Sequence, residues 1–220
     1  MLCSCQEGGD GAVIYSENIL ICLALPLILT VFFVRNGTRR FVLSFILGMV
    51  TCLLGAYVSG FIDASWKYGT ADTAIFISPV VEEAMKFLPL LFYFLMFEPK
   101  DEVFFRMAVG VGAGFASFEN VCTMVSSGAE SMDLILIRGL AVGVMHIVSV
   151  SALAFGLILS RRFKITGISS ILGALSVSML YHGIYNLLVS QSGISQIIGF
   201  VMPVITSLLA LYVYRHLKMH

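Results

Sequence analysis

The sequence contains little charge. Only 12% of its 220 residues are Asp, Glu, Lys or Arg, whereas an ordinary soluble domain has roughly 25%. Apolar residues make up 59% of the chain and the mean hydropathy is +0.97, which argues against a water-soluble fold. The formal net charge is zero. The sequence has neither a basic stripe nor a glycine-rich phosphate loop, so we expect no nucleic acid and no nucleotide as partner.

Three further signals are missing. Residues 1–11 lack the basic region and the cleavage signature of a signal peptide, so we expect the first apolar run to remain in the protein. There is no internal repeat of the kind that many transporters carry. The zinc-protease motif HExxH is also absent, so the sequence alone does not decide for or against a metal.

Long apolar runs dominate what is present. A spanning helix needs about 20 apolar residues, and such runs predict an all-α, polytopic transmembrane helix bundle of about seven spans. Residues 1–220 are expected to form one integral membrane domain within the lipid bilayer. The predicted spans are 17–34, 41–62, 79–97, 103–125, 139–159, 168–189 and 194–214. Ser78 is expected to cap the third span, which makes 71–77 a separate interfacial or re-entrant piece of open role.

Basic residues predict the orientation. They follow the first, fifth and seventh predicted spans and comprise Arg35, Arg39, Arg40, Arg161, Arg162, Lys164, Arg215 and Lys218. Because basic loops stay in the cytoplasm, the N-terminus is predicted outside and the C-terminus cytoplasmic. The pairs Gly110/Gly114 and Gly139/Gly143 place small residues on one helix face, where a neighbouring span is expected to approach closely.

Six ionisable residues lie well inside the predicted spans. They are Glu82, Glu83, Lys86, Glu119, His146 and His182. A charge in hydrocarbon costs several kcal/mol or more, so such residues face a protein interior and mark function. Counted at about 1.5 Å per residue, they lie roughly 5–11 Å from the outer ends of spans three to six. The common depth predicts one site built from four helices and open to the outside.

Spacing within the helices adds detail. Lys86 can pair with Glu82 at spacing four or with Glu83 at spacing three, which leaves the other glutamate available as a base. His182 and Asn186 are also four residues apart. Asn186 could therefore orient the imidazole or bind a substrate carbonyl.

These residues resemble the motifs of a known family. The run VEEAMKF (81–87) resembles the EExxK motif of PrsW-type membrane proteases, GFASFEN (114–120) resembles their FxxxE motif, and YHGIYN (181–186) resembles their HxxxN/D motif. His146 stands where that family also has a histidine. The family is distantly similar to CAAX prenyl endopeptidases and bacteriocin-immunity membrane proteins. Two differences from those relatives favour the PrsW branch. The relatives carry an arginine one position after the place of Lys86, and they carry a histidine at the place of Glu119.

The resemblance implies a seven-span, multi-pass enzyme of the bacterial cytoplasmic membrane. Such an enzyme makes the first cut in a membrane-anchored, single-span anti-sigma factor, on the extracytoplasmic side. This implies a Glu/His peptidase site with Glu82, Glu83, Lys86, Glu119, His146, His182 and Asn186 as candidate catalytic residues.

Two mechanisms fit the candidate residues. In one, Glu82 or Glu83 activates water directly, while His146, His182 and Asn186 polarise the carbonyl. In the other, which we favour, Zn²⁺ is held by the two histidines with carboxylates, and a remaining glutamate is the base. The candidate ligands are His146, His182, Glu119 and Glu82. A proton- or ion-coupled transporter and a non-catalytic membrane scaffold are the alternative functions.

Overall fold

The computed structural model describes residues 15–127, 132–162 and 167–218, with side chains over 15–126, 136–162 and 167–212. These residues form seven long helices and no strand. The helices are α1 (Ser16–Val31), α2 (Asn36–Trp66), α3 (Ser78–Phe97), α4 (Asp101–Ser127), α5 (Met132–Arg162), α6 (Gly167–Ser190) and α7 (Ile194–Lys218). A short helix, Thr70–Asp72, and a π-helical segment, Thr73–Ile77, connect α2 to α3. We call Thr73–Ile77 the π segment.

The helices confirm the predicted all-α membrane bundle. Six of the seven predicted spans lie within one helix each, and the first runs past the end of α1 at Val31. Among the described residues, five helices are long and apolar enough to cross a membrane, namely α2, α4, α5, α6 and α7. Helix α1 has only 16 residues, and α3 carries three ionisable residues in 20. The number of spans and the orientation therefore remain predictions.

Helix α4 lies at the centre, between α2 and α5, while α3 packs against α2 and α6. Helices α2 and α4 approach closely because Gly114 of α4 has no side chain. A Cβ atom at Gly114 would lie 1.9 Å from the carbonyl oxygen of Phe45 in α2. The expected close approach at Gly110/Gly114 is thus confirmed. The same expectation for Gly139/Gly143 is wrong, because an added Cβ at either residue meets no described atom within 4 Å.

Apolar clusters surround the centre of the bundle. One joins α3, α4 and α5 through residues that include Phe94, Phe104 and Leu157. A second packs Met49 of α2 against Phe115 of α4. A third lies between α4, α5 and α6. Several polar side chains between these clusters are buried.

The prediction for residues 71–77 was wrong in one respect. The π segment runs directly into α3, so this stretch is a helical extension of α3 rather than a separate piece. Ser78 does not cap the helix, and its hydroxyl is buried without a hydrogen-bond partner among the described residues. The segment is held instead by Asp63, whose carboxylate accepts a 2.9 Å hydrogen bond from the Thr73 hydroxyl.

Basic residues gather at one end of the bundle. Arg35, directly before α2, and Arg40 of α2 line a cavity with Arg106 of α4. Arg161 and Arg162 at the end of α5 both pair with Asp101 at the start of α4. Two of the three predicted basic clusters therefore share an end, as the proposed orientation requires. The predicted outer N-terminus (1–14), Lys164, and the side chains of Arg215 and Lys218 lie outside the described residues.

Candidate functional site

The structure brings the six buried ionisable residues into one network. Helix α3 supplies Glu82, Glu83 and Lys86, while α4, α5 and α6 supply Glu119, His146 and His182. Glu83, Lys86 and His146 are fully buried, and His182 is 1% exposed. Groups of this kind are stable inside a bundle only when they pair with one another.

Lys86 lies at the centre of the network. Its Nζ atom is 2.5 Å from Glu83 Oε1 and 2.8 Å from His146 Nδ1, and it lies 4.6 Å from the centre of the Phe115 ring. Of the two pairings that the spacing allowed, the structure contains the one with Glu83. A lysine ammonium group only donates, so Nδ1 of His146 accepts. The Nε2–H group of His146 then donates to Glu119 Oε2 at 2.6 Å.

His182 is oriented by Glu83. Its Nδ1 lies 2.9 Å from Glu83 Oε1, so Nδ1–H donates and the lone pair on Nε2 stays free. Nε2 faces Glu82, whose Oε2 atom is 3.7 Å away. A histidine held by a carboxylate through one nitrogen, with the other nitrogen free, is the usual arrangement of a metal ligand.

Three of these residues could hold a metal ion. Glu82, His146 and His182 each offer one ligand atom, and these atoms lie within 4.8 Å of one another. Glu82 Oε2 is buried and has no hydrogen-bond partner among the described residues. Two imidazoles and a carboxylate are a common zinc ligand set. A neutral imidazole has one lone pair. A metal on Nδ1 of His146 would therefore displace Lys86, and a metal on Nε2 would displace Glu119 and move the ring proton to Nδ1, which then no longer accepts from Lys86.

Two candidate residues have other contacts than the sequence suggested. Glu119, a candidate metal ligand, lies outside this three-residue group and is bonded to His146. The Asn186 amide donates a 3.0 Å hydrogen bond to the carbonyl oxygen of Ala74 and so ties α6 to the π segment. Asn186 therefore does not orient His182, because Glu83 does.

The comparison with protein-family models matches residues 37–213 to the PrsW family of intramembrane metalloproteases. The chain belongs to this family. No curated protein and no solved structure matches it. The matched range contains α3 to α6 and hence every residue of the network.

Membership of the PrsW family confirms the resemblance seen in the three motifs and His146. The chain is therefore a membrane-embedded protease. The family description includes a metal, and the grouping of Glu82, His146 and His182 fits one.

Sequence reasoning missed Tyr185. This residue of α6 is 2% exposed, and its hydroxyl has no hydrogen-bond partner among the described residues. It follows His182 by three positions, a spacing that places both on the same helix face. That spacing is the signal by which the sequence could have revealed it.

Proposed function

We propose that this chain is a zinc endopeptidase in which Glu82, His146 and His182 hold the ion. The observation that carries the proposal is the 4.8 Å grouping of their ligand atoms, which come from three different helices. A ligand set assembled from separate helices explains why the chain needs no HExxH motif. Zinc bound there would make a water molecule more acidic and polarise the carbonyl of the substrate.

Glu119 is suited to act as the general base. Its side chain is 27% exposed, whereas those of Glu82 and Glu83 are 13% and 0% exposed. It is therefore the most accessible of the three carboxylates. Glu119 accepts the proton from the attacking water and returns it to the leaving amine, the double role that peptide hydrolysis requires.

Glu83 and Lys86 hold the histidines in place. Glu83 fixes the ring of His182 through Nδ1, and Lys86 orients the ring of His146 until an ion takes up the single lone pair of that imidazole. Lys86 also balances the charge of Glu83, with which it forms a fully buried pair. These two residues therefore act through the ligands and do not react with the substrate themselves.

The proposed substrate is a single-span membrane protein such as an anti-sigma factor, cut near the extracytoplasmic face of the cell membrane. Glu119 lies closer to Ser127 than to Asp101, and His182 lies closer to Ser190 than to Gly167. The site is thus nearer to the end opposite the arginines. If that arginine-rich end is cytoplasmic, the site opens outward.

Metal analysis tests the ligand set. Purified wild type is expected to contain zinc, His182→Ala to contain far less, and Tyr181→Phe to match the wild type. Tyr181 is a suitable control because it precedes His182 in α6 but bonds to Thr206 of α7. Equal and negligible zinc in wild type and His182→Ala would rule out the metal mechanism.

Cleavage of a single-span anti-sigma reporter tests the chemistry. Loss of a general base costs roughly 10²–10⁴ in rate, so Glu119→Gln should lose cleavage while keeping its metal. Glu102→Gln, at the other end of α4 with an 83% exposed side chain, is the control. Glu83→Ala should also be inactive, and a Glu83→Ala protein that still cut the reporter would contradict the proposal. Proton flux in proteoliposomes that vanished with Glu83→Ala would support a transporter instead.

A further inference from the structure

Tyr185 is a buried phenol without a hydrogen-bond partner among the residues that the structure describes. Only 2% of the residue is exposed, and its hydroxyl is among the few buried polar atoms of the described residues that lack a partner. Buried tyrosine hydroxyls are normally hydrogen-bonded, and an unmade bond costs free energy. A hydroxyl kept in this state is available to a ligand.

The surroundings of Tyr185 place its ring near the candidate site. The ring belongs to an apolar cluster with Ala116 of α4 and Met145 of α5, which lie three residues before Glu119 and directly before His146. Tyr185 also follows His182 by three positions on the same face of α6. The phenol therefore lies among the helices that carry Glu119, His146 and His182.

A second donor near the same carboxylate is also unpartnered. Nε of Arg138 is buried with no hydrogen-bond partner among the described residues, although another nitrogen of this guanidinium donates to Thr123 at 3.3 Å. Thr123 follows Glu119 by four positions in α4, so this guanidinium group lies about one helical turn from that carboxylate. Two donors without a partner among the described residues, near the carboxylate that we propose as general base, suit the carbonyl oxygens of a peptide backbone.

We propose that the Tyr185 hydroxyl is a further catalytic group, which donates a hydrogen bond to the carbonyl oxygen of the scissile peptide bond. This inference rests on the proposed peptidase function. When water attacks the carbonyl carbon, the C=O π electrons move onto the oxygen, and a donor placed beforehand stabilises the charge that develops. The tyrosine keeps its proton throughout, so Glu119 remains the group that transfers protons.

Tyr185→Phe is the decisive variant, because it removes only an unpartnered oxygen and keeps the ring in its apolar cluster. Loss of one such donor costs about 10²–10³ in kcat. We expect a fall of that size with KM little changed, and with zinc content and thermal stability equal to wild type. Tyr181→Phe is the matched control one helical turn earlier and should retain full kcat.

Each other outcome overturns the proposal. A Tyr185→Phe enzyme with the kcat of the wild type would remove the catalytic role, and one with only a raised KM would reduce Tyr185 to a binding contact. Loss of zinc or of thermal stability together with activity would make the residue structural. If the wild-type enzyme cuts no peptide, the proposed function fails together with this inference. That outcome is recognised because the Tyr181→Phe control is then inactive too.

Discussion

Replacing Lys86 by methionine removes a charge from the centre of the bundle while nearly preserving the volume of the side chain. In the wild type the ammonium group donates to Glu83 at 2.5 Å and to His146 at 2.8 Å, and both partners are fully buried. Within the described part of the chain, the variant leaves Glu83 with only His182, 2.9 Å away, as a partner. A buried carboxylate then lacks its compensating cation.

The expected loss is large for a single side chain. Breaking a buried ion pair by removing one partner costs about 3–5 kcal/mol. Because His182 still donates to Glu83, we expect a value near the lower end, about 3 kcal/mol. A protein of ordinary stability has about 5–15 kcal/mol in total. The exposed pair between Arg106 and Glu102, whose atoms are 3.7 Å apart, should contribute at most about 1 kcal/mol.

Denaturant titration in detergent, followed by helical circular dichroism, gives the free energies of unfolding. The series comprises wild type, Lys86→Met, Glu83→Gln, the double variant and the control Arg106→Met. The double variant should be less destabilised than the sum of the two single variants, because neither charge is then left unpaired. The reasoning is refuted if Lys86→Met costs no more than Arg106→Met, or if the single effects simply add.

Three further perturbations have defined outcomes. Gly114→Ala brings a Cβ atom to 1.9 Å from a backbone oxygen of α2 and should lower the stability in thermal denaturation by about 1–3 kcal/mol or more. The control Gly173→Ala, whose added Cβ meets no described atom within 4 Å, should instead raise the stability by about 1 kcal/mol. Equal effects of the two substitutions would contradict the close contact. Asn186→Ala should speed amide hydrogen exchange in the π segment, because it removes the hydrogen bond that ties the segment to α6; unchanged exchange there would refute this role. In detergent the exposed Cys22 should react with a maleimide much faster than the buried Cys52, and equal rates in folded protein would contradict the packing of α2.

The sequence predicted the helices well, because apolar runs of spanning length have few alternative structures in a membrane. Helix boundaries were less predictable. Helix α5 begins at Met132 rather than near 139, since Arg138 looked like the edge of a span. Glycine spacing also did not reveal which face a neighbour would cover. The pair Gly110/Gly114 meets α2, whereas Gly139/Gly143 meets open space.

Comparing depths along the helices predicted which residues meet, because a charge buried at one level needs partners at that level. The comparison of depths did not predict which of these side chains form hydrogen bonds with one another. Spacings of three and four residues both allowed a partner for Lys86, and only the packing of α5 and α6 on α3 selects Glu83. The link from Asn186 to Ala74 joins residues 112 positions apart. No local pattern contains information of that range, so the sequence offered an orienting role for Asn186 as one possibility and did not reveal its bond to the π segment.

The network also has a net negative charge, and the interior of a membrane-embedded bundle stabilises a net charge poorly. Glu82, Glu83 and Glu119 together with Lys86 have a formal charge of −3 + 1 = −2 when the carboxylates are ionised and both histidines are neutral, and the neighbouring Arg138 reduces it to −1. A divalent cation more than offsets this negative charge. Because a ligand that binds only the folded state adds to its stability, filling the site and maintaining the bundle are thermodynamically linked. The melting temperature of the protein with and without a chelator therefore serves as a gauge of occupancy that requires no substrate, and an unchanged value would show that no cation supplies this balance.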